Sequence, residues 1–436
     1  MKLCPCRTSA VVCLLALIVL ASAPVQAARS HSDEANQVLD WNQAFIDTLI
    51  ATNTPNSSSQ RLGAIVHTAI FDAFNGIERR FEPIFFQGSA PRGASRRAAV
   101  IAAAHTALVG LFPSRKPALD ALYDASLASL TNNDDGDDDG GKSRKRGIAW
   151  GEEVATAVLA WRATDGFSLT YPAFVGGMAI GQWRPIPPAT SMSAQALAFT
   201  SMFVLANNTQ FQPPAPRTLA SATYADDFNA VKALGRNNPG SSRNDDQSLL
   251  APFWEGNASV HWNQAANQTA RANGLSLSRS NRLLAVLNVA MADTAFTIWA
   301  AKRYYGAIPT EVTWRPATAI PVADFDGNPL TVADAAWLPS VPTPSHPEYP
   351  AGHPGQNGAA ATVLLSQFED AQSFTLTTGA NSRTYDSITK ARLDGNNARV
   401  WGGMHYPSTV AISDAEGEAI GNYVNENSMQ LLRRQP

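Results

Sequence analysis

At 436 residues, 45% of them hydrophobic and 16% charged, the chain is long enough to bury a large core, as one big domain or two smaller ones. Lys and Arg number 33 against 36 Asp and Glu, a formal net charge of −3, and this balance argues against a nucleic-acid-binding protein. All three cysteines (Cys4, Cys6 and Cys13) lie near the start of the chain, so residues 14–436 have no thiol for a disulfide or a Cys-ligated zinc.

The chain opens with two basic residues, Lys2 and Arg7, then an apolar run from Ala10 to Ala21 and the small-residue site Val25-Gln26-Ala27. That order reads as a secretory signal peptide over 1–27, cut after Ala27, and predicts a secreted or periplasmic protein. The run is short for a bilayer span, and no later segment reads as long and apolar enough to cross a membrane, so stable membrane insertion is not expected. The remainder, 28–436, is expected to form a single helical domain.

Helical spacing of apolar residues predicts helices over 35–52, 60–76, 96–111 and 148–163. Between the last two, 131–147 carries an acidic block followed by a basic one. It lacks the residue order and closing glutamate of an EF-hand and reads as a solvated loop. From Tyr171 to Pro216 the chain is rich in Pro and Gly and cannot stay regular for long. Helical pattern returns at 219–235 and most strongly at 279–305, apolar on nearly every side and therefore expected to be central. Only Phe374–Thr378 reads as a strand, too little for a β fold, so the expected class is all-α: a large helical bundle with long irregular Pro/Gly-rich connections.

Three stretches in the last third set cations and imidazoles beside residues that constrain the backbone: 301–320, 346–357 and 398–409. Together they offer Lys302, Arg315, Arg399, His353 and His405. Burying an arginine costs several kcal/mol unless an anion meets it, so such a set in a helical core implies either paired carboxylates or a bound oxyanion. The planar guanidinium suits a tetrahedral oxyanion, and Gly352 lets the backbone approach closely before a helix beginning at about Gly358. Each residue has a plainer reading taken alone. Arg315 before Pro316 fits a surface or salt-bridged arginine, and His405 fits a hydrogen-bonded core histidine. His67 and His105, on apolar helix faces, are assigned to packing, and His346 to a cleft entrance.

Taken together and in order, Arg315-Pro316, Pro350-Ala351-Gly352-His353, and Arg399 followed six positions later by His405 resemble the three-part signature of the phosphatidic acid phosphatase type 2 (PAP2) and vanadium haloperoxidase superfamily. The wording of WRPATAI, HPEYPAGH and RVWGGMHY is similar to its exported bacterial branch, the vanadium-dependent haloperoxidase-like proteins, and the likeness reaches upstream to 66–78 and 225–235. The resemblance implies a helical bundle of the PAP2/vanadium haloperoxidase type, with its catalytic portion at about 280–430. It also implies roles. Lys302, Arg315 and Arg399 would neutralise the oxygens of vanadate or phosphate, and the Gly352 amide would touch one of them. His405 would be the nitrogen ligand to vanadium or the nucleophile forming phosphohistidine, and His353 the general acid and base opposite it.

The resemblance admits three functions: a vanadate-dependent haloperoxidase using hydrogen peroxide and halide, a metal-free acid phosphatase acting on small phosphate esters, or a homologue that binds an oxyanion without turnover. A homodimer is compatible with it. The chain also departs from the family pattern. Lys302 stands thirteen residues before Arg315 rather than seven, with GAIPTE resembling an insertion and Pro309 expected to stop the helix. Ala351 replaces a serine, Ala398 another serine, and Thr409 an aspartate four residues after His405 that would orient the imidazole.

Overall fold

The long apolar segment is one unbroken helix, α9 (Leu277–Gly306), capped at its start by the Ser276 hydroxyl, which accepts from the Arg279 amide. It ends three residues before Pro309, where a ring without an N–H cannot continue it. By length and composition α9 could cross a membrane, contrary to the expectation that no later segment would. However, 94% of its most apolar window is buried inside the protein, as in the core helix of a bundle.

The computed structural model describes Met1 and residues 36–130, 141–237 and 239–432. The expected leader, Met1 apart, and residues 131–140 of the charged stretch lie outside these. Ahead of α9 run α1 (Gln37–Ala51), α2 (Asn56–Glu78), α3 (Arg96–Leu111), α4 (Lys116–Ala128), α5 (Lys142–Ala163), α6 (Ala222–Leu234), α7 (Asp245–Phe253) and α8 (Ala258–Ala272). After it come a one-turn α10 (Pro316–Ala319), α11 (Gly352–Leu365), the strands β1 (Phe374–Thr378) and β2 (Asn381–Tyr385), α12 (Ile388–Trp401) and α13 (Pro407–Asn427). The all-α expectation holds, and the expected strand acquires an antiparallel partner that pairs Phe374 with Tyr385 and Thr378 with Asn381. The boundaries that differ most from expectation are two. Lys142–Gly147 are the first turns of α5 rather than loop, and α11 begins at Gly352 rather than near Gly358.

The described residues from Asn36 to Leu432 belong to one compact unit. Its irregular connections are pinned by carboxylates on buried helices. Asp293 of α9 accepts from the amides of Phe203, Val204 and Leu205 at 2.7, 2.9 and 3.0 Å, and Asp72 of α2 does the same for Ile84, Phe85 and Phe86. A loop laid over a core needs partners for its amides, and these carboxylates supply them. The small residues of α11 serve close helix packing. A Cβ on Gly417 of α13 would lie 1.8 Å from the Gly355 carbonyl oxygen, so the α11 and α13 backbones touch. This contact places the start of α11, with His353, beside the turn that carries His405.

Candidate active site

Each site residue is aimed by local backbone chemistry. Arg315 is the extended residue (ψ 151°) before Pro316, the first residue of α10, a conformation that a following proline enforces. His353 sits in the first turn of α11, behind the short segment Ser345–Pro350. His405 comes after α12 by way of Gly403, whose φ of +76° reverses the chain and lets the Met404 and His405 amides both reach the Arg399 carbonyl.

These elements enclose a cavity of about 220 Å³, lined among others by Trp299, His346, Gly352, His353, Arg399 and His405. Four of the sequence-predicted site residues therefore share one cavity wall. Arg315, fully buried behind it, joins two of the imidazoles. Its Nη1 donates to His405 Nε2 at 2.9 Å and to the Met404 carbonyl at 2.8 Å. The Nη2 donates to His346 Nδ1 at 2.8 Å, and Nε to the His346 carbonyl at 3.0 Å. Because a guanidinium can only donate, His405 Nε2 must be an acceptor, and the ring proton belongs on Nδ1.

That proton meets a carboxylate. His405 Nδ1 donates to Glu348 Oε1 at 2.8 Å, and the Tyr406 amide donates to the same oxygen at 3.1 Å. Thr409 Oγ1 donates to Glu348 Oε2 at 3.0 Å. Thr409 stands in place of the family's aspartate, yet the imidazole does have a carboxylate partner. Glu348 supplies the charge from the HPEYP stretch, and Thr409 holds Glu348. Ser408, the other hydroxyl nearby in sequence, turns instead to Asp227.

Lys302 is placed differently from expectation. Fully buried, it donates to the carbonyls of Pro347 (2.6 Å), Glu348 (3.2 Å) and Pro350. An ammonium has three donors, and all three are engaged, so none is left for an anion. Lys302 lies near the end of α9, under the 347–350 segment, and is not among the residues that line the cavity. Arg399 is the opposite case. Its Nη1 donates to the Trp254 carbonyl at 3.0 Å and its Nη2 to Met404 Sδ at 2.8 Å, while its buried Nε has no partner.

Electrostatically the cavity is cationic with neutral imidazoles. Burial pulls Arg315 down to about 9 and Arg399 to about 10, so both keep their charge near neutrality. Burial, and then the Arg399 charge, hold His353 well below the usual histidine range, while burial followed by Arg315 and Lys302 does so for His405. His353 Nε2 lies 3.2 Å from the Gly256 carbonyl, which can only accept, so Nε2 carries the proton and Nδ1 is an acceptor. Burial pushes Glu348 up to about 7 against the pull of Arg315 and Lys302.

Sequence reasoning missed the parts played by Glu348, Trp299 and Met404. Glu348 lay in view within HPEYP, but nothing in the sequence pairs it with a histidine 57 positions later. His346, assigned to a cleft entrance, lines the cavity and packs its ring 5.2 Å from that of Trp299. His67 and His105 belong to packing: they bond Asn42 and Asp120, away from the cavity.

Residues 282–434 match the family model of the VCPO second helical-bundle domain. Among solved structures, the first bacterial vanadium-dependent iodoperoxidase is similar with a TM-score of 0.75 and 22% identity, over 92% of this chain and 98% of that one. The apo and holo forms of a bacterial vanadium-dependent chloroperoxidase give TM-scores of 0.67 and 0.65 at 18% and 17% identity, each over 85% of this chain and 92% and 91% of theirs. No curated protein matches the sequence. The chain thus has the helical fold of the bacterial vanadium haloperoxidases, and its residues 282–434 are similar to the second helical-bundle domain of that group.

Proposed function

We propose that this chain is an exported, vanadate-dependent haloperoxidase-like enzyme that uses hydrogen peroxide to oxidise a halide. The observation that carries the reading is the unpartnered Nε of buried Arg399, in a cavity wall that also presents His353 and an oriented His405.

The residues suit a tetrahedral oxyanion. Among the described residues no cluster of three or more His, Asp or Glu could hold a bare metal cation, whereas vanadate needs one nitrogen ligand and surrounding donors. His405 Nε2 would be that ligand, its one lone pair passing to the vanadium from Arg315 Nη1, which engages it in the empty site. Arg399 Nε, and the Gly352 and His353 amides at the uncapped start of α11, would meet the oxygens. Bound vanadate would supply, with peroxide, the activated oxygen that oxidises halide. His353 Nδ1 is free to take a proton from entering peroxide and return it, with its ring held by the Gly256 carbonyl. Glu348 holds the His405 ring at Nδ1, Arg315 stays beside Nε2 with its other donors on the Met404 and His346 carbonyls, and the Trp299 indole lines the cavity.

The test is direct. Purified protein is titrated with vanadate, then given peroxide with iodide or bromide, and halogenation of a phenolic dye is monitored; p-nitrophenyl phosphate is assayed in parallel without vanadate. Vanadate-dependent halogenation, lost in His405→Ala, is expected. Ester hydrolysis inhibited by vanadate, with no halogenation, would replace this reading with the acid phosphatase one.

A further inference from the structure

We propose that Glu348 is the positioning residue of the anion site: it sets the tautomer and orientation of His405, in place of a carboxylate four residues after that histidine. The inference rests on the reading that His405 Nε2 exchanges its bond from Arg315 Nη1 for the bound anion, and it deepens that reading by locating the missing charge.

Glu348 is 1% exposed, and each of its oxygens is engaged from the His405 side. Oε1 accepts from the His405 ring and the Tyr406 amide, and Oε2 from the Thr409 hydroxyl. The three donors come from residues 405, 406 and 409, so the carboxylate is clamped to the turn and first helical turn that carry the imidazole. On the other nitrogen, Arg315 can only donate. Both sides of the ring therefore specify one state: proton on Nδ1, lone pair on Nε2. Lys302 supports the arrangement from beneath by holding the carbonyls on either side of the Glu348 side chain and that of Glu348 itself.

The Thr409 contact explains why the departure at 409 goes with a glutamate at 348. With Thr409 Oγ1 3.0 Å from Glu348 Oε2, an aspartate at 409 would put a second carboxylate against the first, and two like charges at that distance cannot both be ionised. One carboxylate per histidine is the arrangement that fits, and this chain has placed it on the 345–350 segment. A hydroxyl at 409 is the complementary choice, since it donates.

The experiment is a charge swap read in two ways. Full-length mature protein is made as Glu348→Gln, Thr409→Asp and the double variant, with folding checked by thermal melting and Thr409→Val as a milder variant acting in the same direction. The first readout is the dissociation constant for vanadate, and for inorganic phosphate, by equilibrium titration. The second is the imidazole 15N spectrum of the ligand-free protein, with His405 assigned by its absence in His405→Asn. Wild type should show an Nδ1-protonated His405. E348Q and T409D should each weaken anion binding by about 10- to 100-fold, and the double variant should recover to within about threefold of wild type. Wild-type affinity in E348Q with an unmoved His405 spectrum would overturn the proposal, as would a double variant worse than either single one. If wild type binds neither anion, the functional reading falls, while the His405 spectrum of E348Q still decides whether Glu348 positions the ring.

Discussion

Arg399 Nη2 donates to the thioether of Met404 at 2.8 Å, a weak acceptor for a buried guanidinium. With Nη1 on one carbonyl and Nε on nothing, this arginine is held in place but poorly satisfied. Arg315, equally buried, has a partner on each of its three nitrogens. The contrast separates two arginines that look alike in the sequence: one is fully engaged in joining its neighbours, and the other keeps the donor that the proposed anion would meet.

Arg399→Met should therefore remove anion binding at little structural cost. Replacing a poorly paired buried charge with an apolar side chain of similar length is commonly neutral or stabilising. Thermal melting is expected within a few degrees of wild type or above it, while vanadate or phosphate affinity falls about 100-fold or more. A large drop in melting temperature would show that Arg399 serves the fold.

Lys302→Met should behave in the reverse way. It leaves the carbonyls of Pro347, Glu348 and Pro350 buried without their donor, and each such loss costs about 1–3 kcal/mol. Urea unfolding should show a loss of about 3 kcal/mol or more. Anion affinity should suffer through displacement of Glu348 rather than through a lost contact. Unchanged stability with abolished affinity would restore Lys302 as an anion ligand.

Acid should destabilise the protein through its buried neutral histidines. Burial lowers His67 to about 3 and His261 to about 4, against 6.5 for an unperturbed histidine. Below pH 6.5 the unfolded chain gains protons that the folded one refuses, so this stability is complete above that pH and is lost progressively towards pH 4. Each histidine contributes up to about 1.4 kcal/mol per pH unit across the window. His67→Gln, which keeps a donor for the Asn42 carbonyl oxygen, should flatten the dependence of unfolding free energy between about pH 6 and 4 by about one proton. An unchanged slope would count against a neutral buried His67.

Much of the fold was legible where apolar residues repeat at helical spacing, as in α1, α2, α3 and α9. Helices α12 and α13 were not, for a physical reason. Their sequences, ITKARLDGNNARVW and PSTVAISDAEGEAIGNYVNEN, mix charges and glycines and carry no clear apolar stripe. The buried face of α13 includes many small and polar residues: Gly417 and Gly421 let it lie backbone to backbone against α11, while Ser408 and Thr409 bond Asp227 and Glu348. Such a face is recognisable only once its partner is known. At the site, the cations and imidazoles stood out as a set of residue types gathered in three short stretches, whereas Glu348, although beside Pro347 in one of them, had nothing in the sequence to pair it with His405.

Residue type and order alone determined the helical class and the central place of α9, and they singled out Arg315, His353, Arg399 and His405, which the structure brings together around one cavity. Only the tertiary structure decided what each charge does. A buried donor is defined by the acceptors around it, and those acceptors are mostly backbone carbonyls supplied by distant segments. That is why Lys302 became a support for the 347–350 segment, why Arg399 kept a free donor, and why the carboxylate absent at 409 is found at 348.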